Sequence, residues 1–163
     1  MSQGYTIIEL VIVVVISSLL LSVGYAQYRD FANRQEVQVA RRQIDADLRH
    51  AQADALAGRK PAGCNGTLEG YAFEIIVAVG FPSPEYETYA LCSDPAGVKL
   101  DVKTVSVLSI LDLSPVPSVN PIIFRPFTYG TNLDVNLVSI SIAHTMVAGA
   151  STSISVYRNG EIR

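Results

Sequence analysis

A long uncharged apolar segment near the start of the chain limits its fold more than any other feature of the sequence. Residues 10–28 include no Asp, Glu, Lys or Arg, and they are rich in Val, Ile and Leu. A helix of about 20 such residues spans the hydrocarbon core of a bilayer. The sequence therefore predicts a membrane helix, and the 163 residues of the chain leave room for one ordinary domain beside it.

This segment differs from a removable secretory signal, which has a basic stretch, a shorter apolar core and a cleavage site after that core. No Lys or Arg precedes the segment, and its apolar core is longer than that of such signals. Small residues around Ser22 and Gly24 nevertheless imitate a cleavage site. The segment by itself leaves two simple alternatives, conventional removal and a plain single-pass anchor for an extracytoplasmic domain.

Glu9 stands at the start of the apolar segment, between Ile8 and Leu10. A carboxylate inside hydrocarbon costs about 2.5–3.5 kcal/mol on insertion scales. One explanation puts Glu9 in the membrane interface, where the positive end of the helix dipole favours an anion. The other explanation requires a cation from a second chain, because no Lys or Arg occurs before Arg29.

The residues around Glu9 resemble a known processing signal. The type III signal of type IV pilins and type II secretion pseudopilins is similar to Gly4-Tyr5-Thr6-Ile7-Ile8-Glu9-Leu10-Val11-Ile12-Val13-Val14. The resemblance implies that prepilin peptidase cuts between Gly4 and Tyr5, and that the amine of Tyr5 is then N-methylated. It also implies that Glu9 pairs with the N-terminal amine of a neighbouring subunit and so sets the register of a filament.

A protein of this family is a structural subunit, a minor pilin or pseudopilin, and not an enzyme. The resemblance implies a single-pass protein of the inner (cytoplasmic) membrane with an extracytoplasmic domain, which later joins a pilus or pseudopilus. Its expected partners are prepilin peptidase, other pilins or pseudopilins and the inner-membrane assembly platform, and no cofactor is expected. The chain departs from the common pattern at residues 1–3, which carry no basic residue, and at Ala26, where major pilins often have proline.

The predicted helix continues beyond the membrane segment, because no Gly or Pro occurs between Gly24 and Gly58. Apolar residues recur at three- and four-residue steps at Val37, Ala40, Ile44, Leu48, Ala51 and Ala55. Gly58 and Pro61 then predict the end of the helix near Ala57. We therefore divide the start of the chain into a leader (1–4), a transmembrane and filament-core helix (5–28) and an amphipathic extension (29–60).

Residues 61–163 are predicted to form an antiparallel β domain. Stretches with strand composition cover residues 71–79, 86–92, 98–113, 122–125, 135–143 and 153–158, and Gly and Pro separate them. Residues 158–161 predict a hairpin turn, since Asn159-Gly160 tolerates positive φ at both central positions. The expected fold is α+β and pilin-like, with a long N-terminal helix, transmembrane in its first half, packed against an antiparallel β-sheet domain.

Short stretches of the domain resemble the GspH/FimT-like minor pseudopilins. They are Leu48-Arg49-His50-Ala51-Gln52-Ala53-Asp54-Ala55 with Gly58, Ile123-Phe124-Arg125-Pro126, Ile154-Ser155-Val156 and Asn159-Gly160-Glu161-Ile162-Arg163. Some relatives in that subgroup bind DNA during uptake, which gives an alternative function with Arg125, Arg158 and Arg163 as the contacts. The five basic and nine acidic residues of 61–163 oppose it, because non-specific DNA affinity comes mainly from clustered Lys and Arg.

Cys64 and Cys92 are the only cysteines of the chain. In an extracytoplasmic domain they are candidates for a disulfide, which would contribute about 3–4 kcal/mol in the chain-entropy model; the alternative is two free thiols. Two cysteines without a nearby histidine do not match a zinc site.

The remaining polar candidates have ordinary explanations. Asp47, His50 and Asp54 share a helix face, which is typical of an exposed charged surface more than of a metal site, and His144 is expected to be structural. Residues 65–67 fit a glycosylation sequon, but a simple turn is favoured in a bacterial protein. The chain has no G-x-S-x-G, phosphate-binding glycine motif or H-E-x-x-H, which again predicts that it is not an enzyme.

Overall fold

The computed structural model describes residues 6–76, 84–94, 97–108, 111–116, 119–128 and 130–163. Within these ranges the chain forms one helix, α1 (Ile7–Leu56), and seven strands. At about 1.5 Å per residue the helix is about 75 Å long. The sequence predicted that the helix continues beyond the apolar segment, and the structure confirms this. Gly4 and Tyr5 lie outside the described residues.

The end of α1 is a Schellman motif, in which a residue with positive φ turns the chain away from the helix axis. Gly58 has a φ of 59°. The N–H of Gly58 donates to the carbonyl of Ala55 (2.9 Å), and the N–H of Arg59 donates to the carbonyl of Asp54 (3.0 Å). The predicted end near Ala57 is confirmed, since Ala57 is the C-cap residue.

The strands of the β domain form two antiparallel sheets. Sheet one has the order β3-β2-β1-β5, and sheet two has the order β4-β6-β7. The strands are β1 (Leu68–Ile76), β2 (Glu85–Cys92), β3 (Lys99–Ser106), β4 (Leu111–Val116), β5 (Ile122–Phe124), β6 (Leu137–His144) and β7 (Ser151–Tyr157). The predicted α+β class, a long helix packed on an antiparallel β domain, is confirmed.

The β-rich stretch 98–113 is divided between the two sheets. The chain leaves sheet one after β3 and enters sheet two as β4, where Leu111 pairs with His144 and Leu113 with Ile142. Leu111 and Leu113 are both buried, whereas β3 is an exposed edge strand. A change of sheet between β3 and β4 therefore lets the second half of this stretch reach the core.

The chain turns back on β7 at the predicted place, but with a different turn. The N–H of Gly160 donates to the carbonyl of Tyr157 (2.8 Å), and the N–H of Tyr157 donates to the carbonyl of Glu161 (2.9 Å). Three residues, 158–160, thus form the loop, and Gly160 has a φ of 84°. This is the arrangement of a three-residue hairpin with glycine in the left-handed region, and not the two-residue turn that we predicted.

The core lies between one face of α1 and the inner faces of both sheets. The predicted helix stripe is confirmed, because Val37, Ile44, Leu48, Ala51 and Ala55 are buried and Ala40 is partly buried against them. Facing residues come from sheet one and from sheet two: Phe73, Tyr86, Phe124, Ile140 and Ile154. Burial of a Leu or Ile side chain contributes about 1.5–3 kcal/mol, so this face holds the outer half of the helix on the domain.

Candidate functional site

Glu9 lies in the first turn of α1, and the structure shows how that turn is built. Thr6 is the N-cap residue in an extended conformation, and its hydroxyl accepts a hydrogen bond from the N–H of Glu9 (3.4 Å). Thr-x-x-Glu is the capping-box pattern, in which the side chain three residues after the cap can reach back to the cap N–H. Sequence reasoning missed Thr6, although its spacing from Glu9 was visible.

This geometry gives the Glu9 carboxylate a local role at the helix start. A carboxylate in the first turn stabilises a helix by about 0.3–1 kcal/mol through the helix dipole. The first basic residue of the helix, Arg29, is twenty positions further on, which is about 30 Å along the axis. Arg29 therefore cannot neutralise Glu9, and a cation for this carboxylate has to come from outside the chain's own helix.

The apolar half of α1 extends away from the domain. Its most apolar 18-residue window has a mean hydropathy of 2.7, and none of that window is buried in the protein. Val37 is the first buried residue of the described helix. By length and composition this half can cross a membrane, and every described apolar side chain on it is available to lipid or to another protein.

Polar contacts hold α1 on sheet one beside the apolar core. Tyr86 donates its hydroxyl proton to Asp47 (2.7 Å), and Lys103 forms an ion pair with the same carboxylate. Burial first, and then the hydrogen bond to Asp47, raises the pKa of Tyr86 far above its usual value. Asp47 is thus a structural contact between helix and sheet, which corrects its interpretation as part of an exposed charged face.

A disulfide joins the segment after α1 to the end of β2. Cys64 and Cys92 are bonded, with their Cα atoms 5.8 Å apart and 28 positions apart in sequence. Both cysteines are buried. The N–H of Asn65 donates to the carbonyl of Asp94 (2.9 Å) beside them. The bond therefore fixes the chain that leaves the helix against sheet one.

The comparisons with known proteins address both halves of the chain. Residues 1–25 match the family model of the prokaryotic N-terminal methylation motif. The type IV minor pilin FimU of Pseudomonas aeruginosa has a similar structure in two crystal forms. In the first form FimU is 16% identical with a TM-score of 0.58, and the match covers 82% of this chain and 90% of the FimU chain. In the second form it is 14% identical with a TM-score of 0.54, and the match covers 77% of this chain and 90% of the FimU chain. No curated protein matches the sequence.

The chain therefore carries a prepilin-type methylation motif on a pilin-like fold. The family model supports the motif at residues 1–25, and the structural similarity to FimU supports the fold. The resemblance that residues 4–14 predicted is confirmed at this level. The motif implies processing by prepilin peptidase and assembly with other pilins.

The three arginines that we considered for DNA binding have different surroundings in the pilin-like protein. Arg125 and Arg158 are exposed, and their backbones bond to adjacent residues, Gly130 and Thr131. The Arg163 side chain donates to Glu161 (2.7 Å) and lies over the ring of Tyr157. The hydrogen bond to Glu161 raises the pKa of Arg163. Two of the arginines thus extend from neighbouring segments, while a carboxylate balances the charge of the third.

The other polar candidates make structural contacts. His50 contacts Asp54 (3.1 Å) one helical turn away, and Arg59 contacts the same carboxylate (3.4 Å). His144 is buried, and its Nδ1 accepts from the N–H of Met146 (3.1 Å). Among the described residues, no group of three or more His, Cys, Asp or Glu side chains is arranged to hold a metal ion.

Proposed function

We propose that the pilin-like protein is a minor pilin or pseudopilin, a structural subunit of a type IV pilus or type II secretion filament. In this proposal it is a single-pass protein of the inner membrane with its domain outside the cytoplasm, and it enters the filament through α1. Prepilin peptidase cuts after Gly4, and Tyr5 becomes the methylated N-terminal residue. Pilus and secretion filaments are both included because the methylation motif is common to pilins and pseudopilins.

A single observation supports the assembly role. The Glu9 carboxylate lies at the start of the apolar half of α1, which has no positive side chain and is not covered by the domain. When such a helix half is surrounded by other apolar helices, its carboxylate loses water and requires a cation. The free amine of Tyr5 on a neighbouring subunit is a cation at the same depth. Pairing between Glu9 and that amine would set the axial register of adjacent subunits.

The capping box gives a competing explanation for Glu9, namely that it only stabilises the start of the helix. Two substitutions distinguish this role from the ion pair between subunits. Glu9→Gln keeps a side chain that can complete the box, since Gln serves there as Glu does, but it removes the charge. Glu9→Leu removes both. The proposal predicts that both variants insert in the membrane and are trimmed, and that both are absent from sheared filaments by immunoblot. Normal incorporation of Glu9→Gln would refute the ion pair and leave Glu9 with the helix-start role alone.

Mass spectrometry of the mature N-terminus tests the processing step independently. We expect a chain that begins with N-methylated Tyr5, and Gly4→Ala should leave the leader in place. A mature protein that still begins at Met1 would contradict processing and favour a plain membrane anchor.

A further inference from the structure

The hairpin of β6 and β7 ends in an exposed apolar tip. Residues 137–157, which include both strands and the tip, contain no Asp, Glu, Lys or Arg. The tip itself is Thr145-Met146-Val147-Ala148-Gly149, and Met146 is 82% exposed. Turns between strands usually carry polar residues such as Asn, Asp and Ser. A single exposed apolar side chain is common on protein surfaces, so the place of this tip in the molecule decides what it contacts.

Contacts with α1 show that the tip points toward the apolar half of the helix. At the base of the tip, Nε2 of His144 lies 4.0 Å from a carboxylate oxygen of Glu36. At the other end of the hairpin, the side chain of Gln52 donates to the carbonyl of Gly160 (2.6 Å). Glu36 and Gln52 are about 24 Å apart along the helix, and the seven residues of β7 cover about the same length. The hairpin therefore lies along α1, with its tip at the end nearer the apolar half.

The same lengths give the height of the tip above the apolar segment. Tyr28 is the last residue of that segment, and Tyr is enriched at the membrane–water interface. Glu36 lies eight positions further along α1, which is about 12 Å. Met146 is two residues beyond His144 toward the tip, which is about 7 Å in an extended chain. Met146 therefore reaches down to about 5 Å above Tyr28, within the headgroup layer of about 5–8 Å on each side of the hydrocarbon core.

Hydrogen bonds hold the tip in one conformation. The N–H of Met146 donates to Nδ1 of His144 (3.1 Å). The N–H of His144 donates to the carbonyl of Ala150 (2.9 Å), and the N–H of Ala150 donates to the carbonyl of Val147 (3.2 Å). Val147 packs against the core, which leaves Met146 on the outside. A surface that is ordered in advance loses less conformational entropy when it binds.

We infer that the β6–β7 tip rests in the headgroup layer of the membrane that holds α1, with Met146 inserted among the lipids. This inference rests on the proposed function, because it requires the apolar half of α1 to span a bilayer. Residues 29–36, at the same height on the helix, include two basic and two acidic residues, so the contact is apolar and does not need anionic lipid. Together with α1 it fixes the rotation of the domain about the helix until the subunit leaves the membrane.

Tryptophan fluorescence in vesicles tests the depth of the tip. The chain has no Trp, so one introduced Trp is a unique reporter. Full-length Met146→Trp is placed in phosphatidylcholine vesicles, with or without lipids brominated on the upper acyl chain. The matched control is Asn159→Trp, at an exposed turn residue of the opposite hairpin end, and Leu20→Trp marks the apolar half. We expect brominated lipid to lower the fluorescence of Met146→Trp and Leu20→Trp by about twofold or more, because both lie at lipid depth, and to leave Asn159→Trp unchanged.

The outcomes separate this inference from the proposed function. Quenching of Leu20→Trp without quenching of Met146→Trp would overturn the inference and leave the membrane span intact. Equal quenching of Asn159→Trp would also overturn it, because the hairpin would then lie flat on the membrane. Absence of quenching at Leu20→Trp would contradict the membrane span of the proposed function itself.

A second measurement uses the unaltered side chain, because Trp itself prefers the membrane interface. Met1 and Met146 are the two methionines of the chain, and the Met146→Leu variant assigns the methyl signal of Met146 in nuclear magnetic resonance spectra. In phosphatidylcholine nanodiscs, lipids with a nitroxide on the upper acyl chain should weaken that signal by about twofold or more, since the nitroxide lies at the depth of the tip. An unchanged Met146 signal would refute insertion of the tip.

Discussion

Breaking the disulfide between Cys64 and Cys92 should lower the free energy of unfolding of the domain by about 3.6 kcal/mol. The bond closes a loop over a sequence separation of 28 residues. In the chain-entropy model a loop of that length removes about 12 cal/mol/K of entropy from the unfolded chain, which is about 3.6 kcal/mol at 25 °C. The loop includes all of β1 and β2, so the unfolded reduced chain regains freedom over the strands that build the centre of sheet one.

The assay is urea unfolding of the fragment that starts at Arg29, followed by far-ultraviolet circular dichroism. This fragment keeps all the buried residues that the structure describes on α1, the first of which is Val37. With a slope of about 1.5 kcal/mol per molar urea, the unfolding midpoint should fall by about 2.4 M on reduction. A double variant, Cys64→Ala with Cys92→Ala, provides the matched control, and it should lose slightly more because both sulfur atoms are buried.

A decrease of less than about 1 kcal/mol in both samples would refute the reasoning, because the model requires a larger loss for a loop of this length. Such a result would mean that the reduced unfolded chain keeps contacts between β1 and β2 and so gains little entropy.

Two further predictions test the core and its tyrosines. Leu48→Ala should lower the free energy of unfolding by about 2–4 kcal/mol, because Leu48 is fully buried on the helix face and the vacated space cannot collapse completely. The control Val39→Ala, at an exposed site, should change that free energy by less than about 0.5 kcal/mol. Equal losses for the two variants would contradict the assignment of the buried helix face. Burial first, and then the hydrogen bond to Glu74, raises the pKa of Tyr89 to about 12. The folded state therefore keeps this proton between about pH 10 and 12 while the unfolded state loses it, so stability should fall as pH rises through that window. Tyr89→Phe should make that fall shallower in urea titrations at pH 9–12, and an unchanged slope would show that Tyr89 is not responsible.

Much of the architecture could be predicted from local patterns. The uncharged segment, the absence of helix breakers up to Gly58 and the three- and four-residue spacing from Val37 to Ala55 predicted one long helix with one buried face. These features act between residues close in sequence, so they can be evaluated without knowing the fold. The candidate assembly residue, Glu9, could also be recognised from the sequence, because a carboxylate is unfavourable in an apolar segment. Thr6 was missed, although its cap is equally local.

The tertiary structure decided which strands pair and which surfaces remain open. Residues 98–113 look like one strand in the sequence, yet they divide between two sheets because Leu111 and Leu113 reach the core only beside β6. Asp47 looks like an exposed helix residue until Tyr86 and Lys103 meet it.

The apolar groove between α1 and residues 106–108 likewise exists only because the chain at the end of β3 passes close to Val39. The sequence by itself determined the helix, its apolar half and the isolated charge of Glu9 in that half, since spacing and composition along one element are enough for these. Strand partners, the two sheets and the groove depend on contacts between residues far apart in the chain, and only the folded structure brings those residues together.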